Sequence, residues 1–201
     1  MALLFKACPL LSDVSAYAAD PCGRFIAAQG TLSGSHVTMA SVYAPVERQE
    51  RAPFLQQSLL PAMSIGTPLL LGGDWNCVAQ DLDLVGGQPG TRQHGFQSGL
   101  LPFQQALSLQ DAFRCLHPQA REFTHTATNN ASSARIDRWL GSDSLLPNVS
   151  AASVTDRILS DYYGVSPANA PPRGPGLWSM PPAIISLQNP HDSSDPDLLS
   201  N

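Results

Sequence analysis

The chain has 201 residues, 43% of them hydrophobic, enough to bury one substantial core but not two. Only 13% are charged, and a formal charge of −5 excludes a broad basic surface for the phosphate backbone, so any nucleic-acid contact has to be local. Cys8, Cys22, Cys77 and Cys115 show neither C-x-x-C spacing nor a nearby histidine ladder, which excludes a zinc site or disulfide framework and reads as four buried thiols.

The apolar run Ala2 to Phe5 reads as a buried strand with no turn or cap before it, suggesting a start inside a domain. It is too short for a signal peptide or membrane span, so an intracellular protein, nuclear or cytoplasmic, is expected. Arg24 to Ala28 and Val37 to Tyr43 read as a β-hairpin around the Gly- and Ser-rich segment 30–35. From Glu47 to Met63, Phe54, Leu55, Leu59 and Met63 recur at helical spacing, with Pro53 near the first turn. Pro68 to Asp74 is an apolar run ending in two glycines, a strand buried on both faces that delivers Asp74 to its C-terminal edge. A long loop follows from Trp75 to Gly95, in which Asp81 and Asp83 read as solvated charges. Phe96 to Leu116 carries two short helices interrupted near Pro102. Glu122 to Thr126 and Ala134 to Leu140 read as strands around Asn129-Asn130, and Ala151 to Val154 begins another. Residues 167–201 are rich in Pro, Ser and Asp and, apart from Ala183-Ile184-Ile185, offer little apolar surface, so a poorly ordered tail is expected after a domain at 1–166.

Three segments place acids at strand ends: Asp74-Trp75-Asn76, Arg135-Ile136-Asp137-Arg138-Trp139 and Ser160-Asp161-Tyr162. Each has an ordinary reading: Asp74 can cap a turn, Asp137 can pair with Arg135 or Arg138, and Asp161 can start a loop. Taken together, aspartates and an asparagine at one sheet edge make the oxygen-rich surroundings of a hard cation such as Mg²⁺, and hydrolysis of a phosphodiester is the matching chemistry. His94, His117 and His125 share no ligand spacing, and Trp139 and Trp178 read as core or docking residues.

The ordered set Val42-Tyr43-Ala44-Pro45, Gly72-Gly73-Asp74-Trp75-Asn76, Glu122-Phe123-Thr124, Arg135-Ile136-Asp137-Arg138-Trp139 and Ser160-Asp161, with the later Gly174-Pro175-Gly176-Leu177-Trp178, resembles the endonuclease/exonuclease/phosphatase family in its LINE-type retrotransposon branch. The resemblance implies an α/β fold, a DNase I-like four-layered sandwich of two mixed β-sheets flanked by helices. It implies Mg²⁺ or Mn²⁺ as cofactor and DNA as substrate. By it, Asp74 orients or deprotonates the attacking water, Asn76 holds that water and a phosphate oxygen, and Tyr43 contacts the scissile phosphate. Thr124 lies nearby, Asp161 helps hold the metal, and Asp137 orients the histidine that ordinarily follows Asp161.

The sequence departs from that pattern at Tyr162, which stands where the family has the histidine, and a phenol cannot supply a cation near neutral pH. The family's early Asn and metal-binding Glu have no counterpart after Met1, and Glu47 and Glu50 lie too late to replace them, so an incomplete, impaired site is expected. The competing functions are a sibling phosphatase or lipid phosphodiesterase and a non-catalytic remnant.

Overall fold

The computed structural model describes residues 11–64, 66–86, 99–127, 131–154 and 183–187. The expected strand at Ala2 to Phe5, the turn at Asn129-Asn130, and Cys8, His94 and Trp178 lie outside them. Phe25–Leu32 (β2) and Ser35–Tyr43 (β3) form the expected hairpin, each strand longer than its apolar run suggests. Ser33 and Gly34 join them with φ of 50° and 83°, two left-handed residues whose twist matches that of the flanking strands. Leu11–Ala19 (β1), not foreseen, pairs antiparallel with β2. Its sequence lacks an apolar alternation because, outermost among the described strands, it buries little.

Leu69–Asp74 (β4) is central, parallel to β3 on one side and antiparallel to Asp137–Ser142 (β9) on the other. That double pairing is why the run 69–71 is uniformly apolar. Gly73 is required there: a Cβ at this position would stand 1.9 Å from the Val42 carbonyl oxygen. With Leu109–Asp111 (β6), the mixed six-stranded sheet runs β1-β2-β3-β4-β9-β6.

A parallel pair needs a crossover, and the helical segment between β3 and β4 supplies it. It runs as Arg48–Pro53 (α1), a π-helical stretch Phe54–Leu59, and Leu60–Met63 (α2). Pro61 has no N–H to donate to the carbonyl four residues back, which accompanies the departure from α-helical bonding. Phe54, Leu55, Leu59 and Met63 are buried as the spacing predicts, against Leu71, Trp75, Phe103 and Leu140.

The two helices expected over 96–116 are Leu100–Ala106 (α3) and Ala112–Leu116 (α4), but strand β6 separates them. Pro102 does not interrupt: it lies in the first turn of α3, where backbone N–H groups have no intrahelical acceptor anyway. The break comes at Ser108, with φ of 51°. The expected strand over Ala134 to Leu140 is likewise split. Ser132–Ala134 (β8) joins Leu84–Gly86 (β5) and His125–Thr126 (β7) in a three-stranded sheet, while Arg135 and Ile136 leave the ladder before β9 starts. Val149–Val154 (β10) pairs antiparallel with Ala183–Leu187 (β11), the apolar stretch within 167–201.

Three corrections concern single residues. Cys22 and Cys115 are exposed, so among the described cysteines only Cys77 is a buried thiol; all three are free. Asp83 is fully buried rather than a solvated loop charge. Asp137 does not pair with Arg135, which instead binds Asp83 and Asp111. Among the described residues no helix is long and apolar enough to cross a membrane.

Candidate active site

Strand register alone brings the site together. Tyr43 is the Cα partner of Asp74 across the parallel β3–β4 pair, and Asp74 is the partner of Asp137 across the antiparallel β4–β9 pair. Directly opposed residues share one face of a sheet, so the phenol and both carboxyls form a row at its C-terminal edge. The row is fixed from beneath by Trp75, fully buried, whose backbone N–H donates to the Ile136 carbonyl at 2.9 Å and whose indole N–H donates to the Arg138 carbonyl at 3.1 Å. Trp75 and Arg138 are 63 positions apart in the chain, so this indole ties the two site-bearing strands together.

Asn76 follows with φ of 49°, a conformation asparagine tolerates better than most residues. Its backbone N–H donates to Asp74 Oδ1 at 2.8 Å, and its side-chain amide donates to the Ala44 carbonyl at 2.8 Å. The loop after β3 is tied down a second time by buried Arg51, which donates to the carbonyls of Pro45 and Val46 at 3.0 and 2.6 Å. Thr124 is buried, and its hydroxyl accepts the N–H groups of Ile136 and Asp137 at 3.0 and 3.1 Å. These two bonds hold the chain where it turns into β9 carrying Asp137. Thr124→Val should therefore leave two N–H donors unmet and lower stability by about 1–3 kcal/mol. Thr124→Ser should change it little; equal urea midpoints for the two variants would refute that role for the hydroxyl.

The electrostatics of the pair are unusual. Burial pushes the Asp74 carboxyl up to about 6, against the Asn76 N–H and the charges of Arg138 and Arg51, which lower it. Burial and then the facing Asp74 push Asp137 up to about 8, despite Thr124, Arg138 and Arg135. Asp74 Oδ2 and both oxygens of Asp137 are buried without a hydrogen-bond partner among the described residues. Such oxygens carry a desolvation cost unless something else satisfies them, and a hard divalent cation or its coordinated water has the right chemistry. The described residues hold no group of three or more His, Cys, Asp or Glu placed to bind a metal, so the pair fits a cation only in part. Asp161 and Tyr162 lie outside the described residues.

Behind the row lies a buried ion cluster that the sequence did not disclose. Asp83 Oδ1 accepts from Arg114 and from Arg135 Nε, the latter at 2.9 Å, while Asp83 Oδ2 accepts the N–H groups of Ala79 and Gln80. Arg135 continues to Asp111 Oδ2 at 2.7 Å, and Asp111 caps α4 by accepting from the N–H groups of Phe113 and Arg114. Arg138 Nε stands 3.5 Å from Asp111. Burial alone would raise the Asp83 carboxyl, but Arg138, Arg135 and Arg114 outweigh it and hold it below its ordinary value. The available signal was the capping-box spacing from Gln80 to Asp83, which marks a structural acid.

The profile of the Endonuclease/Exonuclease/phosphatase family matches residues 1–161. The "Transposon TX1 uncharacterized 149 kDa protein" of Xenopus laevis is 26% identical over 148 residues, covering 72% of this chain and 11% of that protein. An AP endonuclease from Leishmania major superposes with a TM-score of 0.57 at 18% identity, over 70% of this chain and 53% of that one. The Neisseria 3′ phosphatase NExo, bound to a product DNA hairpin, superposes with a TM-score of 0.53 at 23% identity, over 76% of this chain and 68% of that one. This chain thus spans about half the length of the Leishmania enzyme and a small part of the transposon protein. With its mixed sheet, its DNase I-like fold and a profile match over most of its length, the chain belongs to the endonuclease/exonuclease/phosphatase family.

Proposed function

We propose that the chain is a DNA phosphodiesterase domain of the retrotransposon type, and that its turnover is restrained by Tyr162. The observation that carries the reading is the opposed Asp74–Asp137 pair, its acid strengths driven apart beside Tyr43 and Asn76. A carboxylate that titrates near 6 is ionised at neutral pH yet basic enough to take a proton from water, so Asp74 is the general base. Asp137, titrating near 8, retains its proton at neutral pH, which spares the pair a second buried charge. Asn76, held by Ala44, and the Tyr43 hydroxyl orient the water and a phosphate oxygen. A Mg²⁺ or Mn²⁺ ion, held by Asp161 and bordering the unsatisfied oxygens of the pair, would offset the charge that builds on the phosphate.

Tyr162 can donate a hydrogen bond but brings no positive charge. Replacing a charge-stabilising donor of this kind typically lowers turnover on the order of 10²–10³-fold. In supercoiled-plasmid nicking with Mg²⁺, Tyr162→His alone should not rescue turnover, whereas in a graft that carries a relative's N-terminal strands it should raise the rate about 10²-fold, and adding Asp74→Ala should remove that gain. Nicking by Tyr162→His that is indifferent to Asp74→Ala would refute the assignment. Failure of Tyr162→His to raise the rate of that graft would favour the non-catalytic reading, which the tyrosine at 162 supports.

A further inference from the structure

Resting on the cation part of the phosphodiesterase reading, we propose that Arg138 is a built-in counter-cation to the Asp74–Asp137 pair, and that its charge weakens the binding of a divalent metal ion there. The charged side chains buried among the described residues are four arginines, Arg51, Arg114, Arg135 and Arg138, and four aspartates, Asp74, Asp83, Asp111 and Asp137. The chain's own cations thus match its buried carboxyls, whereas a site built for a hard divalent ion carries an excess of carboxylates for the ion to neutralise.

Within that set Arg138 is surplus to the ion cluster. Asp83 and Asp111 receive their hydrogen bonds from Arg114, Arg135 and backbone N–H groups. Arg138 stands farther off, with Nε 3.5 Å from Asp111 Oδ2 and Nη2 3.7 Å from Asp83 Oδ2. Its Nη2 donates to the Arg135 carbonyl at 2.6 Å, while Nε and Nη1 are buried without a hydrogen-bond partner among the described residues. Arg114 and Arg135 already balance Asp83 and Asp111, so one full positive charge remains.

That charge bears on the pair. Arg138 follows Asp137 on β9 and is the Cα partner of Gly73, which precedes Asp74 on β4, so its backbone borders both site carboxyls. Only 2% of Arg138 is exposed, and water screens a charge at that depth poorly. It favours the ionised form of Asp74 and of Asp137, and at Asp74 it does so more than Arg51. Neighbouring residues on a strand alternate faces, so a cation beside the pair meets the guanidinium across the thickness of the sheet. Their repulsion opposes the attraction of the carboxylates, and a guanidinium does not shed its proton to relieve it.

The test is Mn²⁺ binding to the full chain, read from the electron paramagnetic resonance signal of the free ion. Arg138→Gln should bind Mn²⁺ about tenfold more tightly than the native chain, the effect of removing one poorly screened charge from the surroundings of a divalent ion. Arg138→Lys, which loses the guanidinium but keeps the charge, should bind as the native chain does. Because Asp83 and Asp111 keep their hydrogen bonds, the Gln variant should fold; Arg138→Met, which keeps the apolar stem, is a second neutral variant and should tighten binding equally. Neutral variants that bind no more tightly than Arg138→Lys would overturn this role for Arg138. Asp74→Ala should weaken Mn²⁺ binding in every background, and binding indifferent to it would put the ion elsewhere and overturn the cation reading itself.

Discussion

Asp83→Ala should lower the unfolding free energy by about 3–5 kcal/mol, the range for removing one partner from a buried ion network. Asp83 is fully buried, and its oxygens take up two guanidiniums and two backbone N–H groups. Arg138 NH2 lies 3.7 Å away as a third cation. Without Asp83, the three arginines would share Asp111 as their remaining carboxylate among the described residues. Repulsion and desolvation would then act in the same direction. The exposed Asp143, whose carboxylate accepts a hydrogen bond from Gln110, is the control: its alanine variant should shift stability by no more than about 0.5 kcal/mol. Urea denaturation decides the matter, and a midpoint for Asp83→Ala close to that of Asp143→Ala would refute the buried network.

Asp137→Asn should act in the opposite sense, stabilising the protein while removing its chemistry. The folded state raises this carboxyl from 3.8 to about 8, so between those values it binds protons the unfolded chain has released. Stability therefore falls as pH rises from about 4 to about 8, where the native proton is finally lost. Each unit of displacement corresponds to about 1.4 kcal/mol, which makes the effect several kcal/mol by pH 8. The amide has no proton to lose, so the variant should melt near the native temperature at pH 4 and well above it at pH 8. A melting difference that does not change with pH would show that Asp137 is not held protonated. Nicking should be lost in Asp137→Asn, since the amide removes one of the two unsatisfied oxygens that would border the cation.

Legibility in the sequence followed from how many neighbours decide a residue's role. The β2–β3 hairpin and β4 were readable because a local pattern fixes them: left-handed turn residues at 33–34, and apolar residues on both faces of 69–71. Asp74 and Asp137 stood out because acids at the ends of apolar strands need an explanation, and Asn76 through the motif it shares with Asp74. Arg51 did not stand out, since its role depends on two carbonyls that only the folded chain brings near. The division of Ala134 to Leu140 was equally hidden. A period-two pattern continues through Arg135, but the pull of Asp83 and Asp111 takes that residue out of the ladder. Strand β1 was missed because its largely exposed residues carry no alternation to detect.

The pairing of β4 with β9 has a kinetic and linkage consequence. The contact that opposes Asp74 and Asp137 closes a large loop of chain, so it forms only after much of the intervening polypeptide is in place. No partly folded fragment that lacks either strand can present both carboxyls at once. A ligand that recognises the pair therefore binds the native state and not the unfolded chain, and its binding energy adds to the cooperative stability of the whole sheet. Local opening at this edge and loss of ligand affinity become one event, so amide exchange in β4 and β9 should slow together when the site is filled.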